Sequence, residues 1–238
     1  MAKRKPIAQR DHIDPSHLEE LRQILSSLSA LEEKMKLGDL THNYKYRELI
    51  TFNFLKNTSL LSNLRLSSGK HDCNYGPSLD DCLNLELKSC SGKPIKRNGG
   101  RIKPGECEYD KQNDPIRREE TLSYDSHCLA VYQSKKFIGC ILICDPSAVN
   151  LYSKLVLKPK QDQKIREIEQ FEALGKRTNR DSIRVKFEEV LDVLTADQVF
   201  FVNQHGCIVD IESFCNHIFL DPKIVSNFIE RSRVASAA

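Results

Sequence analysis

The sequence predicts an α/β fold in which a mixed central β-sheet is flanked by helices and preceded by an N-terminal helical element. Three observations carry this. Cys82 to Cys90 reads Cys-Leu-Asn-Leu-Glu-Leu-Lys-Ser-Cys, so Leu83, Leu85 and Leu87 alternate with Asn84, Glu86 and Lys88, the period of a strand with one buried face. Ile138 to Cys144 is apolar on both faces, as a strand deep in a sheet under helices must be. Ser16 to Met35 and Asp162 to Leu174 repeat apolar residues at intervals of three and four, the helical period.

Taken in order, residues 1–14 are polar and carry Lys3, Arg4, Lys5 and Arg10. A basic arm follows from that composition. Ser16 and Glu19 can form a capping box, and Leu18, Leu21, Leu25, Leu28, Leu31 and Met35 then form one narrow stripe before Gly38. A second helix is expected over Tyr44 to Lys56. Leu61 to Leu66 reads as a short strand, and turns at Gly69 and Gly76-Pro77 bracket Asp72 ahead of the leucine-alternating strand. From Ser91 to Ser123 glycine, proline and charge predominate, which predicts a long surface loop with at most a helical turn at Pro115 to Glu120. His127 to Tyr132 and Phe137 to Cys144 form a predicted hairpin. Asn150 to Lys158 reads as a helix end and a short strand. Asp162 to Leu174 is a helix closed by Gly175. Ile183, Val185 and Phe187 alternate as a strand, Val199 to Val202 and Gly206 to Asp210 suggest two more, and Asp221-Pro222 opens a helix through Arg231. Residues 1–40 then form an arm and helix, and 41–238 one domain.

With 36 Lys and Arg against 33 Asp and Glu, the net charge is only +3. A polyanion site must therefore come from local clustering. The nine cysteines are odd in number and irregularly spaced, which argues against a secreted disulfide scaffold and for a soluble protein in a reducing setting, cytoplasmic or otherwise intracellular. No Cys-x2-Cys pair, phosphate-binding loop or dinucleotide fingerprint is present. No apolar run spans a membrane.

Glu86 and Lys88 lie on the same face of their strand, about 6 to 7 Å apart. Fourteen residues upstream of Glu86, after a reversal of the chain, Asp72 can return beside it. A carboxylate pair of this kind suits Mg2+, which takes oxygen ligands. Lys88 would orient a water or offset charge on a pentavalent phosphorus. Asp80 and Asp81 compete for the role of Asp72, but extended strand would put them about 16 to 20 Å from Glu86.

Asp72, Glu86-Leu87-Lys88 on an apolar strand, and a preceding helix carrying Glu48 together resemble the PD-(D/E)xK nuclease superfamily, which includes type II restriction endonucleases, mismatch-nicking enzymes and junction resolvases. The resemblance implies a restriction-endonuclease-like core over 41–238, with Asp72 and Glu86 as Mg2+ ligands, Lys88 as the catalytic lysine and Glu48 as the auxiliary acid. It spans Tyr44 to Lys88, with the 128–144 strands as later members of the sheet. The family often has Pro before its first acid, where this chain has His71. Asp81 therefore stays open as the alternative first ligand.

The loop after the strand holds Lys93, Lys96, Arg97, Arg101 and Lys103, and Arg117 and Arg118 extend the same charge. Clustered cations among glycines and prolines suit phosphate contacts. With no tryptophan and few aromatics, a stacking platform for single strands is not indicated. The expected activity is Mg2+-dependent endonucleolytic hydrolysis of double-stranded DNA, of restriction type and by a homodimer. A non-catalytic DNA-binding protein, and a nickase or junction resolvase of the same fold, are the alternatives.

Overall fold

The computed structural model describes residues 44–67, 72–78, 80–95, 99–111, 124–176 and 182–237, together with Glu20, Gln23 and Ser26. These three are helical and exposed. Their spacing of three is that of the polar face expected opposite the leucine stripe, whose own residues lie outside the described ones.

The architecture is mixed α/β. Helix α1 (Tyr44–Asn57) precedes β1 (Arg65–Leu66), β2 (Cys73–Tyr75), β3 (Leu83–Pro94), β4 (Ile102–Pro104), β5 (Cys107–Lys111), β6 (Ser126–Gln133) and β7 (Lys136–Ile143). Helix α2 (Pro146–Tyr152) runs through a π-helical turn at Ser153–Leu157 into α3 (Lys158–Ala173). Strand β8 (Ser182–Val185), α4 (Phe187–Val193), β9 (Phe200–Asn203), β10 (Ile208–Val209), α5 (Ile211–Cys215) and α6 (Pro222–Ala237) complete the described chain. The main sheet has the order β1-β2-β3-β6-β7-β9-β10, with β4 paired to the far end of β3, while β5 and β8 form a separate ribbon. Strands β3 and β6 run parallel, from Leu85 beside Ser126 to Ser91 beside Tyr132. The other strand pairs described are antiparallel.

Strand alternation divides the core in two. Leu85, Leu87, Cys128, Ala130, Tyr132, Cys140 and Leu142 face α1, whose Phe52 and Leu55 pack on them. Thr51 Oγ1 meets Tyr132 Oη at 2.9 Å, and Arg47 donates to Ser91 Oγ at 3.0 Å. These contacts pin α1 across the sheet. The other face carries Cys90, Leu129, Val131, Ile141 and Ile143 under the β5–β8 ribbon and the helices from α2 onward.

Several expectations are corrected by tertiary context. The 91–123 stretch is not loop throughout, since β3 continues to Pro94 and β4 and β5 follow; the expected turn at Pro115 to Glu120 lies outside the described residues. Residues 150–158 contain no strand, because α2, the π-helical turn and α3 are continuous. Phe187 is buried as the first residue of α4, not as the end of a strand. Helix α6 runs past Arg231 to Ala237. The hairpin, by contrast, is formed as expected, turning at Ser134 with a φ of 54°. Gly175, φ 66°, ends α3 in the left-handed region as the sequence implied.

Gly105 lets the chain pass from β4 to β5 against the back of β3. Its N–H donates to Ser91 O at 3.0 Å, and a Cβ there would stand 2.7 Å from that same oxygen. The neighbour is backbone and cannot swing aside. Gly105→Ala is therefore expected to lower the unfolding free energy by about 1–3 kcal/mol, measured by denaturant titration; an unchanged midpoint would contradict this packing.

Candidate active site

The β2–β3 hairpin sets the site. Cys73 pairs with Leu85 and Tyr75 with Leu83, so the residue before Cys73 comes level with Glu86. Asp72 sits there and accepts the Leu87 N–H on Oδ2 at 2.8 Å. The opposite end of the hairpin holds Asp81, exposed, with its N–H donating to Ser78 Oγ at 3.0 Å. It precedes β3, whose Leu83 pairs with Tyr75 at the far end of the ladder from Asp72. The structure thus brings Asp72, and not Asp81, to Glu86.

Glu86 is only 4% exposed, and the Lys88 ammonium pairs with its Oε1. Both project from the face of β3 opposite Leu85 and Leu87, toward β5. A buried ion pair persists only when its remaining donors and acceptors are met. Lys88 Nζ also lies 5.7 Å from the centre of the Tyr109 ring, within the range of a cation–π contact.

Helix α1 approaches from the other face and contributes Glu48. Burial pushes the Cys73 thiol well above its ordinary pKa, and the nearby charges of Asp72, Glu48 and Glu86 push it further, in that order. The three acids thus lie within electrostatic reach of the Cys73 sulfur, Asp72 and Glu86 from the β2–β3 hairpin and Glu48 from the helix packed on the opposite face of the sheet. Among the described residues, however, no group of three or more His, Cys, Asp and Glu side chains is spaced as a ready-made metal cage. The donor chemistry still fits Mg2+, which keeps several waters and binds proteins through one or two carboxylates.

A layer of aromatic side chains that the sequence did not single out lies behind the lysine. His127, level with Glu86 in the parallel ladder, is fully buried. Tyr109 Oη lies 3.3 Å from His127 Nδ1 and 3.0 Å from Tyr152 Oη. The His127 ring meets Tyr124 and Tyr152 edge-on, with centroids 5.3 and 5.0 Å apart. No motif joins residues 109, 127 and 152; only the fold does.

Of the cations expected to meet DNA, Lys93 and Lys103 are exposed and directly opposite each other across β3 and β4. Arg101 is half-buried, its guanidinium 5.2 Å from the Phe219 ring and donating to Cys215 O at 3.4 Å. It is held against the C-terminal part of the domain. Lys96, Arg97, Arg117 and Arg118 lie outside the described residues.

Compared with known proteins, the chain matches no family model, no curated protein and no solved structure. The site is therefore read from its own geometry. Among the described residues, no helix is long and apolar enough to cross a membrane.

His127 supplies a pH test of this interior. Burial, and secondarily the Lys88 charge, push its pKa down to about 3, against about 6.5 in an unfolded chain. Its neutral form thus stabilises the fold fully above pH 6.5, and that contribution is lost as pH falls from 6.5 toward 3, at up to about 1.4 kcal/mol per pH unit. The stability difference between wild type and His127→Phe should shrink over that interval, as read by chemical denaturation at each pH. A difference that stays constant would contradict a buried, neutral imidazole.

Proposed function

We infer that this protein is a divalent-metal-dependent endonuclease that hydrolyses phosphodiester bonds in double-stranded DNA. The observation that carries the reading is the hydrogen bond from Leu87 N–H to Asp72, which holds that carboxylate level with the Glu86–Lys88 pair. The resemblance of Asp72, Glu86-Leu87-Lys88 and Glu48 to the PD-(D/E)xK pattern supports the same reading.

Asp72 and Glu86 are the residues that would hold the cation, with Glu48 fixing a water of its shell. When bound, Mg2+ polarises a phosphoryl oxygen and lowers the pKa of a coordinated water. The chain's own contribution is positional and electrostatic. Leu87 N–H fixes the Asp72 carboxylate and Lys88 orients the attacking water and offsets charge on the phosphorus. Lys93 and Lys103 contact the phosphate backbone. Like charges directly opposite on paired strands destabilise the pair, and a phosphate between them reverses that. Restriction-type cutting by a homodimer follows from one site cutting one strand, two copies meeting the two strands of a palindrome.

One observation favours a second reading, a DNA-binding protein without catalysis. The Glu86–Lys88 pair is closed and almost fully buried, as a structural ion pair would be. The two readings part in a plasmid assay with Mg2+, with a chelator, and with the near-isosteric variants Asp72→Asn and Glu86→Gln, each checked for cooperative unfolding. The nuclease reading expects cleavage that chelator abolishes and that each variant lowers by about 10²–10³-fold. Salt-sensitive binding with no cleavage under any condition would establish the second reading instead. Discrete fragments, as opposed to a smear, mark recognition of sequence.

The lysine pair makes a separate prediction. Lys93→Ala and Lys103→Ala should each weaken DNA binding across all sequences and reduce the slope of log K against log salt by about 1, measured by fluorescence anisotropy at several salt concentrations. An unchanged slope would remove this strand pair from the interface.

A further inference from the structure

We propose that Tyr109 is a positioning residue for Lys88, its ring face clamping the ammonium beside Glu86, and that the β5–β8 ribbon is thereby part of the active site and not only a cover for the sheet. The proposal rests on the nuclease reading for its kinetic consequence and on geometry alone for the clamp.

The contact itself comes first. Lys88 Nζ stands 5.7 Å from the Tyr109 ring centre and pairs with Glu86, so the ammonium has both a carboxylate and an aromatic face as partners. The Lys88 side chain is 14% exposed. Little room is left for water to replace either partner, and desolvation strengthens the attraction of a cation to a ring.

The ring is fixed in turn. Tyr109 is 1% exposed, and its hydroxyl is shared with Tyr152 at 3.0 Å and lies 3.3 Å from His127 Nδ1. Two elements remote in sequence, the end of α2 and the start of β6, thus set how the ring turns. Burial pushes the Tyr109 and Tyr152 phenols above their ordinary pKa, so both hydroxyls remain protonated and available as donors.

The ribbon that carries Tyr109 is also tied down. Cys107, two residues earlier and therefore on the same face of β5, is in thiol contact with Cys90 of β3. Cys107 and Glu108 are level with Val185 and Arg184 of β8, and Arg184 pairs with Glu108 at 2.6 Å. Gly105 permits the close approach to Ser91 described above. The Cys107 and Gly105 contacts, more than the half-exposed Arg184–Glu108 pair, hold the ribbon against β3.

A flexible four-carbon stem would otherwise let the ammonium sample many positions. A reacting group misplaced by about 1 Å loses up to about a hundredfold in rate. The clamp would act on kcat, because Lys88 serves the reaction more than the grip on DNA.

The test replaces Tyr109 with phenylalanine and then with mono-, di- and trifluorophenylalanine in the full chain. Fluorine withdraws charge from the ring face and leaves the shape of the side chain nearly unchanged. Tyr109→Phe gives up the hydroxyl contacts that orient the ring but keeps its face, so kcat should fall by no more than about tenfold, and this variant is the reference for the series. Successive fluorines should lower kcat stepwise by about tenfold in total, with KM for DNA unmoved.

A second measurement needs no cleavage. With lysine labelled at Cε and Lys88 assigned through Lys88→Arg, the ε-methylene protons of Lys88 should be shielded by the ring in wild type and in Tyr109→Phe. They should lose that shielding in Tyr109→Leu. A kcat that is flat across the fluorine series, or a change confined to KM, would overturn the kinetic role. Absence of shielding in the wild type would overturn the clamp itself. A wild type that cuts no DNA while Lys88 is shielded would overturn the nuclease reading and leave the clamp standing.

Discussion

A carboxylate and an ammonium on one face of a buried strand are tolerated only together, and Glu86 with Lys88 imposes that constraint on everything around it. Taking either charge out of water costs several kcal/mol, and breaking such a pair by removing one partner typically costs about 3–5 kcal/mol. The fold answers with a ring against Lys88 and with a backbone amide that holds Asp72 level with Glu86. His127, level with Glu86, remains uncharged, first because it is buried and secondly because the Lys88 charge stands near it.

The two sides of the sheet carry different duties. The side under α1 is apolar, closed by Leu85 and Leu87 against Phe52 and Leu55. The other side turns polar at Glu86, Lys88 and His127 before it becomes apolar again at Leu129 and Ile141. Period-two alternation permits this: a single strand presents leucines to one layer and its charged residues to the other. Asp72 stands just before β2, where the Leu87 amide of β3 fixes it beside Glu86, and Glu48 comes from the helix on the other side of the sheet.

Much of this was legible in the sequence wherever local pattern and tertiary context agree. The leucine alternation implied the face shared by Glu86 and Lys88, and the turn at Gly76 implied the reversal that returns Asp72, while the turn expected at Gly69 lies outside the described residues. Helix α1 and the β6–β7 hairpin followed from period and length. The pattern failed where pairing overrides composition. Ser91-Gly92-Lys93-Pro94 has poor strand propensity, yet it continues β3 because Gly92 lets Ile102 of β4 come so close that no Cβ would fit. Propensity is weak evidence against such a partner. Residues 150–158 misled because Leu155-Val156-Leu157 reads as a short apolar run, while in the structure it lies in the π-helical turn, where Leu155 is 49% exposed. The aromatic layer was invisible for another reason. Tyr109, His127 and Tyr152 lie far apart in the chain, and each reads alone as an ordinary core residue. Arg101 looked like its neighbouring cations, and only the fold brings Phe219 beneath it.

The central claim is that Asp72 and Glu86 hold a divalent cation beside Lys88, and binding of Mn2+ as a paramagnetic substitute for Mg2+ tests it without any need for DNA. Loss of the free-ion signal in electron paramagnetic resonance should report a saturable site that Asp72→Asn and Glu86→Gln each weaken by at least about tenfold, and that Asp81→Asn leaves intact. Absence of saturable binding, or binding that is lost with Asp81→Asn and kept with Asp72→Asn, would contradict the account.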